Sequence, residues 1–300
     1  MSDTAQIMAN ALRAGVVIPA FNIPYLPMVE PVIRAVADQD AFALVAVARP
    51  EWMKFEAKSM AAVAAEFGRW NDPAHVRLHL DHVPVIDEDG QQVDYLAIIG
   101  EALALGFGSV MVDGSRLPLA ENIRATRAAA ELAHAAGRPI EAELGAVLGH
   151  EAGPLPPYEE LFASGKGFTD IEEARRFVAE TGCDWLSVAI GNIHGAIAAG
   201  ARDQKKVEAR LNLERLDALH VATQIPLVLH GGSGIKRESV LAAFKHGIAK
   251  INVGTEIRQA YEVAFRAAGV AAGQQATYDR TVWVLRDHLA VAGSRGRVMG

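Results

Sequence analysis

Short apolar runs alternate along the chain with longer segments in which apolar residues recur at helical spacing. The runs are 16–22, 42–48, 76–82, 109–113, 139–144, 185–191, 226–230 and 248–253, near-continuous in Val, Ile, Leu and Ala. Such runs suit parallel strands covered on both faces. Helical spacing fills 28–39, 51–67, 119–136, 171–181, 213–222 and 239–246. Gly68, Gly106, Gly137, Gly182 and Gly247 follow expected helix ends, where glycine takes a left-handed cap without steric cost. Strand–helix repetition predicts parallel βαβ units, and eight of them predict one α/β domain over 1–300, a (β/α)8 TIM barrel. An open doubly wound sheet fits less well, because the first strand lacks the Gly-x-Gly-x-x-Gly turn of a dinucleotide-binding sheet.

Three segments depart from the repeat. Residues 87–92 are polar and read as an extended loop. Residues 145–167 are rich in Gly and Pro and read as a mobile active-site loop after strand five. Residues 195–210, after strand six, read similarly and carry the basic run Arg202-Asp203-Gln204-Lys205-Lys206.

Composition narrows the class. Hydrophobic residues make up 51% and charged residues 22%, enough for a sizeable core. A formal charge of −7 offers nucleic acid or an anionic membrane no electrostatic attraction. No apolar run reaches membrane-spanning length, and Met1–Asn10 lacks a signal pattern. Cys183 is the sole cysteine and cannot form an internal disulfide. The expectation is a cytoplasmic enzyme acting on a small molecule.

A barrel gathers its chemistry at the C-terminal ends of its strands. Strand one ends in Asn22, strand three in Asp81-His82, strand four in Asp113 and Ser115, and strand five in Glu143. Strand six runs into Asn192-Ile193-His194-Gly195, strand seven into His230-Gly231-Gly232-Ser233-Gly234, and strand eight into Asn252-Val253-Gly254-Thr255. In Leu78-His79-Leu80-Asp81-His82, the acid and imidazole are either a general acid/base beside a metal ligand or a buried His–Asp hydrogen bond. Taken singly, each histidine is a packing residue. Together, His82, His194 and His230 converge on one mouth with room for a fourth ligand, the ligand set of an open catalytic Zn2+ site. His79 reads as interior support. The glycine-rich loops after strands seven and eight open into helices, where a barrel holds phosphate on backbone N–H groups, although tight turns need glycine too.

These residues carry a family resemblance. The chain resembles the class II, metal-dependent ketose-bisphosphate aldolases of the fructose- and tagatose-bisphosphate group. The matching pieces are Pro19–Asn22, His79–His82, Val110–Ser115, Glu141–Gly145, Gly191–Gly195, Leu229–Gly234 and Lys250–Glu256, in the family's order. The resemblance implies reversible aldol cleavage of a ketose 1-phosphate or 1,6-bisphosphate to dihydroxyacetone phosphate and an aldehyde, by a homodimer or homotetramer. His82, His194 and His230 would hold the catalytic zinc, with Asp113 and Glu143 at a second cation, divalent or monovalent. Asp81 would exchange the proton on the C4 hydroxyl. Glu151, on the loop after strand five, would take a proton from the three-carbon ketone. Gly195, Gly231, Gly232, Ser233, Asn252, Val253, Gly254 and Thr255, with Asn22, would hold the phosphorylated three-carbon part.

The chemistry agrees with those roles. Cleavage leaves an enediolate that either a protonated Schiff base or a metal must stabilise. No lysine stands at a strand C-terminal end, and Lys250 enters strand eight from its start, so an imine mechanism lacks its nucleophile. A Lewis-acid zinc fills that gap, and a base on a closing loop would shield the intermediate.

The chain departs from the family around the pocket. Ala196-Ile197-Ala198-Ala199-Gly200 replaces an aromatic and a lysine, Arg49-Pro50-Glu51 replaces small or glycine residues, and His150 precedes Glu151. Arg49 either meets an anionic group on the aldehyde half or pairs with Glu51 or a neighbour. Two other functions are weighed. A metal-dependent hydrolase on this barrel would want His-x-His on strand one and Asp at the end of strand eight, where this chain has Phe21-Asn22 and Val253-Gly254-Thr255. A sugar-phosphate-binding homologue without catalysis would not need Asp81, Glu151 and three histidines together.

Overall fold

The apolar runs form eight strands, each close to its expected bounds. They are β1 Ile18–Asn22, β2 Ala43–Ala48, β3 Val76–Asp81, β4 Val110–Val112, β5 Ile140–Leu144, β6 Trp185–Val188, β7 Leu227–Leu229 and β8 Ile248–Val253. The computed structural model describes residues 3–145, 158–192, 209–232 and 235–300. All ladders are parallel, in the order β3-β2-β1-β8-β7-β6-β5-β4. Between β3 and β4 the ring closes through the Gly108 N–H on the Leu78 carbonyl (2.8 Å) and the Leu80 N–H on the Ser109 carbonyl (3.0 Å). The protein is therefore a (β/α)8 barrel, with all eight strand C-termini on one side.

Side chains alternate between the interior and the surrounding helices along each strand. Ala20 of β1 pairs in register with Asn252, and Ala46 and Ala48 of β2 with His79 and Asp81. Methyl groups at these positions leave the interior to longer side chains from β3, β5, β6 and β8, among them the fully buried Trp185 and Lys250. The β7–β8 ladder holds one irregularity. Leu227 pairs with Ile248 but Val228 pairs with Lys250, so Ala249 is an extra residue, a β-bulge.

Helices start and stop largely where local chemistry requires. Asp170 and Asn212 cap their helices by accepting from the N–H groups of Glu173 and Arg215, both at 2.9 Å. Gly106, Gly137, Gly182 and Gly247 are left-handed as expected, with φ of 87°, 67°, 69° and 102°. Gly68 is not a cap. It lies inside the helix Met60–Trp70, whose last turn is tied down by Arg69 and Trp70 donating to Glu66 at 3.0 Å each. The expected helix over 51–67 is two helices, Arg49–Met53 and Met60–Trp70. Lys58, at φ 67°, interrupts them, and Ser59 caps the second. The segment 145–167, read as loop, contains the helix Tyr158–Ser164, with 146–157 outside the described residues. Most of the second long segment, 193–208, also lies outside them. Among the described residues no helix is long and apolar enough to cross a membrane.

One hydroxyl straps the mouth. Thr169 Oγ1 donates to the Leu144 carbonyl (2.6 Å) and accepts from the Ala189 N–H (2.8 Å), tying together the ends of β5 and β6. Gly145 makes room for it: at φ 97°, a Cβ there would lie 2.5 Å from that same oxygen. Thr169→Val keeps the shape but strands two buried backbone groups, so it is expected to lower stability by about 1–3 kcal/mol in chemical denaturation. An unchanged denaturation midpoint would count against the strap.

Candidate active site

At the end of β3 the backbone turns sharply. Asp81 is extended, whereas His82 takes φ 36°, a left-handed value that costs a non-glycine residue energy and often marks a functional turn. The turn brings the His82 ring against that of His230, with centroids 4.4 Å apart. His82 Nδ1 then lies 3.7 Å from Asp113 Oδ2 and 4.0 Å from Glu143 Oε2. His230 follows β7 and is fully buried. Its Nε2 lies 2.8 Å from Glu141 Oε1 and its Nδ1 3.2 Å from Glu143 Oε2. Asp81 accepts from Asn22 Nδ2 at 2.9 Å and from Asn252 Nδ2 at 2.9 and 3.0 Å.

Burial pushes Asp81 toward its neutral form, but the positive charges of His82 and Lys250 outweigh it and hold the carboxyl well below the usual range. Burial also opposes charge on His82, yet Asp81, Asp113 and Glu143 push that imidazole up to about 10. His230 is raised as well, its burial and the charge on His82 being outweighed by Glu141 and Glu143. Glu141, buried but facing Lys250 and His230, falls to about 2. Burial and the neighbouring Asp113 raise Glu143. The carboxylates therefore favour protonated imidazoles, and a metal ion would compete with those protons.

The residues present fit a metal ion. Ligand atoms of Asp81, His82 and His230 lie within 4.8 Å of one another, as do those of His82, Asp113 and Glu143. Glu143 Oε2 is buried without a hydrogen bond, which suits a carboxylate awaiting a cation. Glu141 is ionised and can only accept, so His230 Nε2 carries the proton and Nδ1 is the nitrogen turned toward the cluster.

The structure thus brings together Asn22, Asp81, His82, Asp113, Glu143, His230 and Asn252. His194, Gly195, Glu151 and Ser233 lie outside the described residues. Gly231 and Gly232 follow His230, and a Cβ at Gly232 would lie 2.8 Å from Ile251 Cδ1, so a larger residue there would make the Ile251 side chain shift. Val253 and Gly254 lead into the helix Thr255–Ala268, whose first N–H groups face the mouth side of the ring. The Asn252 amide is already engaged by Asp81 and Lys250. Arg49 takes the ion-pair alternative, with its guanidinium 3.4 Å from Asp87 Oδ2.

Three members of this site were not singled out from sequence: Glu141, Lys250 and Glu51. A signal existed for two. Glu141 and Lys250 each stand two residues before a mouth residue (Glu143 and Asn252) and therefore on the same interior face. A charge at such a position in an otherwise apolar strand must be paired inside the barrel.

Glu51, on the short helix after β2, accepts from the Ala48 N–H and is 9% exposed. Burial, with Asp81 adding to it, pushes its carboxyl up to about 8 against bonds from Ala48 and Asn22. Between about 4.5 and 8 the folded state therefore binds a proton that the unfolded state has lost. Stability of the metal-free protein is expected to fall as pH rises through that window, by up to ~1.4 kcal/mol per pH unit from this group. Glu51→Gln is expected to remove this slope. Urea unfolding at pH 5, 6.5 and 8 measures it, and parallel profiles for the two proteins would refute the assignment.

Comparison with known proteins agrees with this geometry. The fructose-bisphosphate aldolase class-II family model matches residues 2–295. Among solved structures, the chain is similar to the YdjI aldolase of Escherichia coli K12, with 27% identity and a TM-score of 0.77, covering 98% of this chain and 99% of that one. It shares the fold of the fructose-bisphosphate aldolase of Campylobacter jejuni at 19% identity and a TM-score of 0.74, over 96% and 94% of the two chains. A strand–helix barrel with acids and histidines at its mouth, matched along nearly its whole length, belongs to the class II fructose-bisphosphate aldolase family.

Proposed function

We propose that this aldolase catalyses reversible, zinc-dependent cleavage of a ketose 1-phosphate or 1,6-bisphosphate to dihydroxyacetone phosphate and an aldehyde. The observation that carries the reading is the meeting of His82, His230 and Asp81 from β3 and β7 among buried carboxylates. In this reading His82 and His230 hold the zinc with His194, and Asp113 and Glu143 serve a second cation. When bound, zinc supplies a Lewis acid for the ketone carbonyl.

The residues' own chemistry follows from their partners. Two amide groups, on Asn22 and Asn252, donate to Asp81, so this carboxylate waits as an acceptor. It takes the proton of the C4 hydroxyl as the C3–C4 bond breaks and returns it in condensation. Glu151 exchanges the proton at C3 of the three-carbon product. Gly195, Gly231 to Ser233, and Val253 to Thr255 hold the phosphate end. The helix Thr255–Ala268 supports this with an N-terminus next to β8, where an anion is stabilised by unpaired N–H groups. Lys250 is fully buried and held by Glu141 and Asn252, which argues against an imine-forming lysine. The family reading extends to a homodimer or homotetramer in the cytoplasm.

The test is a panel of phosphorylated ketoses incubated with zinc, with dihydroxyacetone phosphate release measured. Activity is expected to vanish on chelation and return with zinc, and borohydride with substrate should leave the enzyme active. Asp81→Ala should lower kcat by about 10²–10⁴-fold with zinc still bound. Full activity without metal, or borohydride inactivation, would overturn the reading.

A further inference from the structure

We infer that the ion pair between Lys250 and Glu141, sealed inside the barrel beneath the mouth, is a positioning device. It orients the acid/base carboxylate Asp81 through Asn252, and the imidazole of His230 directly. The inference rests on the zinc-aldolase reading above.

Lys250 is the third residue of β8 and is fully buried. Its Nζ donates to Asn252 Oδ1 (2.7 Å), forms an ion pair with Glu141 Oε2 (2.8 Å), and lies 3.8 Å from Asp81 Oδ1. An ammonium has donors and no acceptor. Facing it, Asn252 must present its carbonyl oxygen, which leaves the amide NH2 pointing at Asp81, 2.9 and 3.0 Å from the two carboxylate oxygens. With the amide reversed, its oxygen would face a buried carboxylate and its NH2 an ammonium, both repulsive. The lysine thereby decides which end of Asn252 meets Asp81.

The second arm runs through Glu141, whose two oxygens are divided. Oε2 meets Lys250, and Oε1 accepts from His230 Nε2 at 2.8 Å. Lys250 thus pins the carboxylate that fixes the ring orientation and tautomer of His230. A carboxylate behind a ligand imidazole also raises its basicity, and losing such a partner typically costs about 10–100-fold in metal affinity or activity. One buried cation therefore sets the geometry of both the proton-transferring group and a ligand, from β8 and β5 respectively.

A purely structural role is the competing account: Lys250 would merely neutralise Glu141, which is itself fully buried. Lys250→Met/Glu141→Gln separates the two, because it removes the pair while leaving the interior uncharged at both positions. Thermal melting checks the fold. Competition with a chelator gives zinc affinity, and steady-state cleavage at saturating zinc gives kcat and KM. The double variant is expected to bind zinc about 10–100-fold more weakly and, once loaded, to lose kcat about 10–100-fold with KM within about twofold of wild type. Wild-type zinc affinity and kcat in a folded double variant would overturn the inference. Should that variant not fold, Glu141→Gln alone carries the zinc readout, with unchanged affinity again overturning the inference. A wild-type protein that binds no zinc and releases no dihydroxyacetone phosphate would sink the functional reading itself and this inference with it. Wild-type behaviour shared by enzyme and variant would sink the inference alone.

Discussion

Carboxylates taken out of water must be compensated, and that requirement governs the interior of this barrel. Glu141 and Asp81 are 0% and 1% exposed, and the ammonium of Lys250 lies between them. A lone buried ion is costly, while a paired and hydrogen-bonded one is tolerated. Each partner here has both a hydrogen bond and an ion-pair contact, and the group links three strands. His79 packs against the same unit, with its Nε2 3.8 Å from Asp81 and 3.7 Å from Glu141 and its Nδ1 bonded to Ser109. The alanines of β1 and β2 matter for the same reason: without their small volume the long polar chains could not reach one another.

Above this unit the charge balance changes. Asp113 and Glu143 join Asp81 around two imidazoles, and the excess of acid favours the protonated form of those rings. The mouth is thus built to favour positive charge. Below it the balance is met by protein alone. The division between a self-compensated floor and an acid-rich rim sets where a cation adds favourable interactions.

Much of this was legible in the sequence, because parallel strands covered on both faces leave an unmistakable apolar pattern. The eight strands, four of the five glycine caps and the cluster of acids and histidines at strand ends all follow from local rules. What escaped was set by side-chain partners, near or distant, that the apolar pattern does not encode. Gly68 sits in a helix because Glu66 binds the two residues beyond it, and Arg49 is claimed by Asp87, thirty-eight residues away. Lys250 was read by its distance from the strand end. A lysine is long, however, and its nitrogen reaches a carboxylate on another strand.

The bulge at Ala249 acquires meaning in this light. Counted against β7 from the Leu227–Ile248 pair, a regular ladder would set Ala249 beside Val228 and give Lys250 the opposite face, toward the helices. The extra residue shifts the phase of β8 by one, so that the lysine and Asn252 both point inward. The strand works as a counting device, in which an inserted alanine carries the instruction for where a charge is placed. Length changes can therefore accumulate in the loops around the mouth, whereas β8 is bound to its residue count as strictly as to its residue types.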